Sequence, residues 1–121
     1  MAVWMAVIAA ATTLPVPRLP VPASGFPVDK LAHLALYLGL GLVLGRALWV
    51  VRGAFDRSLA VALVAGLLFA ALDELHQRWI PFREPELADW LADAAGLSLG
   101  LALYVWARLD EWRKASRERG R

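Results

Sequence analysis

The sequence predicts an all-α fold, a polytopic membrane protein built as a bundle of about four transmembrane helices in a single domain. Three observations lead there. The 121 residues are 60% hydrophobic and only 20% charged, whereas a soluble domain runs nearer half and a quarter, and one small core cannot hide that excess. The mean hydropathy is positive, at +0.53. The apolar residues also fall into four runs separated by proline or charge, with no strand-like alternation. This apolar content excludes a disordered chain, and the lack of cysteine excludes a disulfide-stapled miniprotein. A net charge of +2 is too small to point to nucleic acid, so none is expected as a partner.

Met1 to Leu14 is apolar except for Thr12 and Thr13, and stops at Pro15, Pro17, Pro20, Pro22 and Pro27. Proline lacks the backbone donor and cannot continue a helix. Fourteen residues reach about 21 Å, against a hydrocarbon core of roughly 30 Å. A short first membrane helix is expected rather than a signal peptide, which would carry basic residues ahead of the run. Leu31 to Val50 is twenty residues long, interrupted by His33 and Arg46, and can span. Ser58 to Leu72 passes without a breaker into Asp73, Glu74, Leu75, His76 and Gln77. One helix from about Arg57 to Arg78 therefore ends in a polar turn, stopped by Pro81 and Pro85. The fourth run, Leu87 to Ala107, carries Asp89 and Asp93 in its first two turns. The charged tail Arg108 to Arg121 is expected to begin as a continuation of that helix and to meet anionic lipid.

Basic residues set the expected orientation. With the first helix starting inside, Arg46, Arg52, Arg57, Arg108, Arg113, Lys114, Arg117, Arg119 and Arg121 lie on the cytoplasmic side. Only Arg18, Lys30, Arg78 and Arg83 lie outside. The positive-inside rule then places both termini in the cytoplasm.

This topology gathers polar residues at the outer ends of the second, third and fourth helices. Asp29, His33 and Tyr37 are spaced by four, with Lys30 beside them. Asp73, His76 and Gln77 are expected on one face of the third helix, with Glu74 about 100° round. Asp89, Asp93, Gly96 and Gly100 form a stripe on the fourth. A charge at mid-bilayer costs about 2.5 to 3.5 kcal/mol on insertion scales. Asp73, Glu74, Asp89 and Asp93 unpaired at that depth would cost about 10 kcal/mol or more together, rivalling a small domain's stability. They are therefore expected near the outer interface, facing inward and paired with Arg83, Arg78, Lys30 or histidine. Gly41 with Gly45, and Gly96 with Gly100, are G-x-x-x-G pairs that would bring helices two and four together beneath the cluster.

These residues resemble a known family. Asp29-Lys30 with His33 and Tyr37 resembles the D-K-x-x-H-x-x-x-Y signature of the VanZ-like membrane proteins. Asp73-Glu74-x-His76-Gln77, followed by Pro81 and Arg83, resembles that family's D-E-x-x-Q block and its P-x-R. Asp89, Gly96 and Gly100 resemble the aspartate and glycines that follow, so the likeness covers about residues 28–100. The family usually has asparagine where this chain has Asp93, and commonly serine where it has Glu86. The resemblance implies a multi-pass protein of the bacterial cell membrane. It also implies a family-level link to glycopeptide resistance, through a named member associated with teicoplanin.

Three functions fit the residues. The first is a site that binds or processes an envelope lipid or phosphate-bearing head group. Arg83, Lys30 and Arg78 would hold the phosphate, and His33 or His76, oriented by Asp73 or Asp29, would act as acid or base. The cluster contains no cysteine or serine nucleophile. Two histidines and several acids could instead hold Mg²⁺, Mn²⁺ or Zn²⁺, but no H-E-x-x-H or comparable ligand spacing supports that alternative, so no metal or cofactor is expected. The second function is a small non-enzymatic binder or transporter, which with four short helices would need a homo-oligomer. The third is a purely architectural membrane protein.

Overall fold

A computed structural model describes residues 1–14, 28–52, 57–81 and 83–120. The proline-rich stretch, with Arg18, lies outside the described residues. Among the described residues the chain is all-helical: α1 (Ala2–Thr13), α2 (Val28–Arg52), α3 (Arg57–Gln77) and α4 (Leu87–Arg119). Val28–Val50, Arg57–Gln77 and Leu87–Glu111 are long and apolar enough to cross a membrane, and α1 is a shorter apolar helix. Val61, Val64, Leu68 and Leu72 of α3 are exposed along one side, as a surface solvated by lipid tails should be. α4 is the longest helix, because Arg108 to Arg119 contains no proline or glycine to stop it.

α2 and α4 are parallel and in tight register. Lys30 meets Asp89, His33 meets Asp93, Gly41 meets Gly100 and Gly45 meets Tyr104. The offset is thus 59 or 60 residues along the whole contact. Glycine makes this possible, since the helices approach until backbone touches backbone. A Cβ on Gly41 would run into Leu97 O and stand 2.8 Å from Leu101 N. One on Gly96 would strike Leu34 O, and one on Gly100 would strike Leu38 O. α3 joins through Gly66, which packs against the Leu97 side chain. Ile8, Tyr37, Leu40, Ala70, Leu97 and Leu101 form the core where the four helices meet.

α1 docks antiparallel to α2. The Trp4 ring lies over Gly39, and its indole N–H donates to Leu36 O at 2.9 Å. At the other end of α1, Thr12 reaches Asp73 near the end of α3. Twelve residues span about 18 Å, so α1 lines only the half of the bundle that carries the polar cluster. The turn after α3 is tightened by i→i−3 bonds, Arg78 N to Leu75 O, Trp79 N to His76 O and Ile80 N to Gln77 O. Arg83 N then bonds Ile80 O, which brings Arg83 back toward the helix end.

Overpacking a close contact costs about 1–3 kcal/mol. Gly96→Ala and Gly100→Ala are therefore expected to lower the thermal midpoint in detergent by several degrees, read by tryptophan fluorescence. Gly120→Ala, whose Cβ would meet only ordinary contacts at 3.6 Å, should leave it unchanged. Equal midpoints for all three would refute backbone-to-backbone packing of α2 on α4.

Candidate functional site

The α2–α4 register sets the cluster's first layer. His33 Nδ1 lies 2.9 Å from Asp93 Oδ1, and both side chains are almost wholly buried, at 4% and 0% exposure. Lys30 Nζ donates to Asp89 Oδ1 at 2.7 Å and to Glu86 Oε2 at 2.9 Å. His33 is five residues into α2 and Asp93 six into α4, so the pair sits about 8 Å below the helix starts.

α3 supplies the second layer. Its inward stripe is Ala62, Gly66, Ala70, Asp73, Glu74 and Gln77, all buried. Glu74 Oε1 is 3.8 Å from His33 Nδ1 and accepts from Gln77 Nε2 at 3.1 Å. Glu74 Oε2 accepts from the backbone N–H of Glu86 at 3.2 Å, tying α3 to the residue that caps α4. Arg83 Nη1 donates to Gln77 Oε1 at 3.2 Å, and Nη2 reaches Leu14 O at 3.5 Å.

The third layer comes from α1. Thr12 Oγ1 lies 2.8 Å from Asp73 Oδ1, and Tyr37 Oη stands 3.5 Å from Asp73 Oδ2. Among the described residues, two hydroxyls and not a cation therefore satisfy this buried acid. Thr12 was missed by sequence reasoning, because a threonine at the end of an apolar run carries no chemical signature until tertiary contact places it.

Lys30, His33, Tyr37, Asp73, Glu74, Gln77, Arg83, Asp89 and Asp93 are thus brought together, with Asp29 exposed at the rim. Three expectations need correction. His76 is exposed and lies beside Trp79, ring centroids 6.5 Å apart. At 100° per residue the inward arc of α3 is centred between Asp73 and Glu74, and His76 falls off it. His33 is held by Asp93 rather than by Asp73 or Asp29, because the register puts residue 93 opposite residue 33. Arg78 is exposed and, among the described residues, takes no part in the cluster's bonds.

Among the described residues, two groups of acids and histidine lie close enough to share a metal ion. The ligand atoms of His33, Glu74 and Asp93, all buried, lie within 4.8 Å of one another, as do those of Asp29, His33 and Asp89. No spacing motif announces either, since each draws on more than one helix.

A family model described as VanZ/LLP1 matches residues 2–108. The chain belongs to this family. No curated protein and no solved structure matches it significantly. The VanZ/LLP1 match takes in α1 as well as the three spans, and α1 contributes Thr12 to the cluster.

A hydrogen bond to a buried carboxylate contributes about 1.5–3 kcal/mol. Thr12→Val is expected to destabilise the protein by that amount in chemical or thermal unfolding. Thr13→Val should be silent, because Thr13 is exposed and, among the described residues, bonds only Ala9 O in its own helix. Matching losses for the two would argue against the Thr12–Asp73 tether.

Proposed function

We propose that this VanZ/LLP1-family protein binds the phosphate-bearing head group of an envelope lipid at the polar end of its bundle, on the outer side of the bacterial cell membrane. Arg83 carries the reading. It is half-buried, yet among the described residues its guanidinium donates only to neutral oxygens, those of Gln77 and Leu14. Arginine in a polar pocket, with no carboxylate to answer it, favours an anion that can take two parallel N–H bonds. Lys30 is already occupied by Asp89 and Glu86, so it rims the site and sets its selectivity rather than supplying the main contact.

Position supports the same ligand. Lys30 and Asp89 lie about 3 Å and the His33–Asp93 pair about 8 Å below the helix starts, a depth range suited to a lipid head group and the first part of its chains. Trp79, largely exposed beside the cluster, is of the residue type that settles at that depth.

The binding test uses the full chain in detergent, with phosphatidylglycerol and a polyprenyl phosphate compared against diacylglycerol. The phosphate-bearing lipids should bind more tightly. Arg83→Gln should weaken them about tenfold or more, equivalent to roughly 1.4 kcal/mol, while Arg83→Lys keeps part of the affinity. Equal binding of all three lipids, or an unaffected Arg83→Gln, would remove the reading. Orientation is tested separately, since the chain has no native cysteine. Glu84→Cys should react with an impermeant maleimide on intact cells and Lys114→Cys should not; the reverse pattern would turn the site inward.

A further inference from the structure

We infer that His33, Glu74 and Asp93 bind one divalent metal cation of the Zn²⁺ or Mn²⁺ kind, held between α2, α3 and α4. Geometry is the first support. One ligand atom from each residue lies within 4.8 Å of the others. His33 Nδ1 stands 2.9 Å from Asp93 Oδ1 and 3.8 Å from Glu74 Oε1. Donors bound at about 2.1 Å to one cation stand roughly 3.0 Å apart at a right angle and 3.4 Å at the tetrahedral angle. The observed separations bracket those values.

Charge is the second support. Two carboxylates and one imidazole are buried together at 6%, 0% and 3% exposure. The nearby cations are engaged elsewhere, Lys30 with Asp89 and Glu86, Arg83 with Gln77. A single imidazole carries at most one positive charge, so with both carboxylates ionised the triad taken alone holds net negative charge in an apolar bundle, which a proton or a cation must offset. Two carboxylates, a neutral imidazole and a doubly charged cation sum to zero.

An orphaned atom is the third. Asp93 Oδ2 is buried and, among the described residues, has no hydrogen-bond partner. Buried carboxylate oxygens are ordinarily satisfied, and a cation would take that lone pair. The Glu74 ligand is also held from behind. Gln77 donates to its Oε1, Arg83 donates to Gln77, and the Glu86 N–H fixes Oε2. Such outer bonds are how proteins orient metal ligands.

The donor set chooses the metal. One nitrogen with two carboxylates suits Zn²⁺ or Mn²⁺ better than the all-oxygen shells of Ca²⁺ and Mg²⁺ or the sulfur ligands of Cu⁺. The alternative group, Asp29 with His33 and Asp89, is less apt, because Asp29 is exposed and Asp89 already holds Lys30 at 2.7 Å.

This inference stands apart from lipid binding, and the metal alone is the probe. The full chain in detergent, stripped with chelator and desalted, is titrated with Zn²⁺ and with Mn²⁺ in the absence of lipid. One ion per chain should bind saturably and raise the thermal midpoint. His33→Ala, Glu74→Gln and Asp93→Asn should each weaken binding at least tenfold, while Asp110→Asn, in the exposed tail, should not. If a variant fails to fold, the wild type still decides, because pulsed electron paramagnetic resonance of bound Mn²⁺ should show coupling to an imidazole nitrogen. No saturable binding, binding that survives all three substitutions, or a bound-Mn²⁺ signal without that nitrogen would each overturn the inference. Lipid binding measured in chelator fails or succeeds on its own terms.

Discussion

The backbone-to-backbone contact of α2 on α4 is the constraint from which the rest of the structure follows. Small residues at Gly41, Gly96 and Gly100 remove the side chains that would hold the helices apart. Packing is a principal force between membrane helices, because apolar surface gains nothing by leaving lipid for protein. Once the glycines set the offset at 59 or 60 residues, the polar layer has no freedom. Residue 33 must face residue 93, and residue 30 must face residue 89. The carboxylate of Asp93 is then buried whatever its own preference, and only its neighbours can make that tolerable.

Those neighbours are recruited from the other two helices, each by a different kind of bond. α3 brings Glu74 and Gln77 alongside His33, and the Glu86 N–H ties Glu74 to the start of α4. α1 is shorter than the three long helices, yet its last turn supplies the hydroxyl that satisfies Asp73. The cluster is acid-rich at its centre and has its cations at the edge, with Lys30 paired and Arg83 facing neutral oxygens. This separation puts a cationic edge beside an acidic centre, the two joined through Gln77 and Glu74.

Much of this was legible in the residues. Hydropathy and prolines located the four helices, since a helix that must satisfy its own backbone in lipid needs a long apolar run. The observed bounds differ from the expected ones by few residues, apart from the unbroken extension of α4 to Arg119. The spacing of Asp29, His33 and Tyr37, the Asp73-Glu74 pair and the glycine pairs also marked one end of the bundle as the place to look. His76 was misplaced because a run of polar residues at a helix end does not show where the inward arc begins. That arc is set by Gly66 and Ala70 below it, through their contact with α4 and the core.

The sequence by itself determined the class of protein, the number and approximate limits of its helices, and the end of the bundle at which its polar chemistry gathers. These depend on periodicity and on the solvent each residue prefers, both of which are local. Only the tertiary structure decided that Asp93 holds His33, that Thr12 and Tyr37 serve Asp73, and that Glu74 completes a three-residue group. The reason is physical. The hydrogen-bonded partnerships among these join side chains 36 to 61 residues apart, and their meeting is fixed by helix register, which the glycine contacts set.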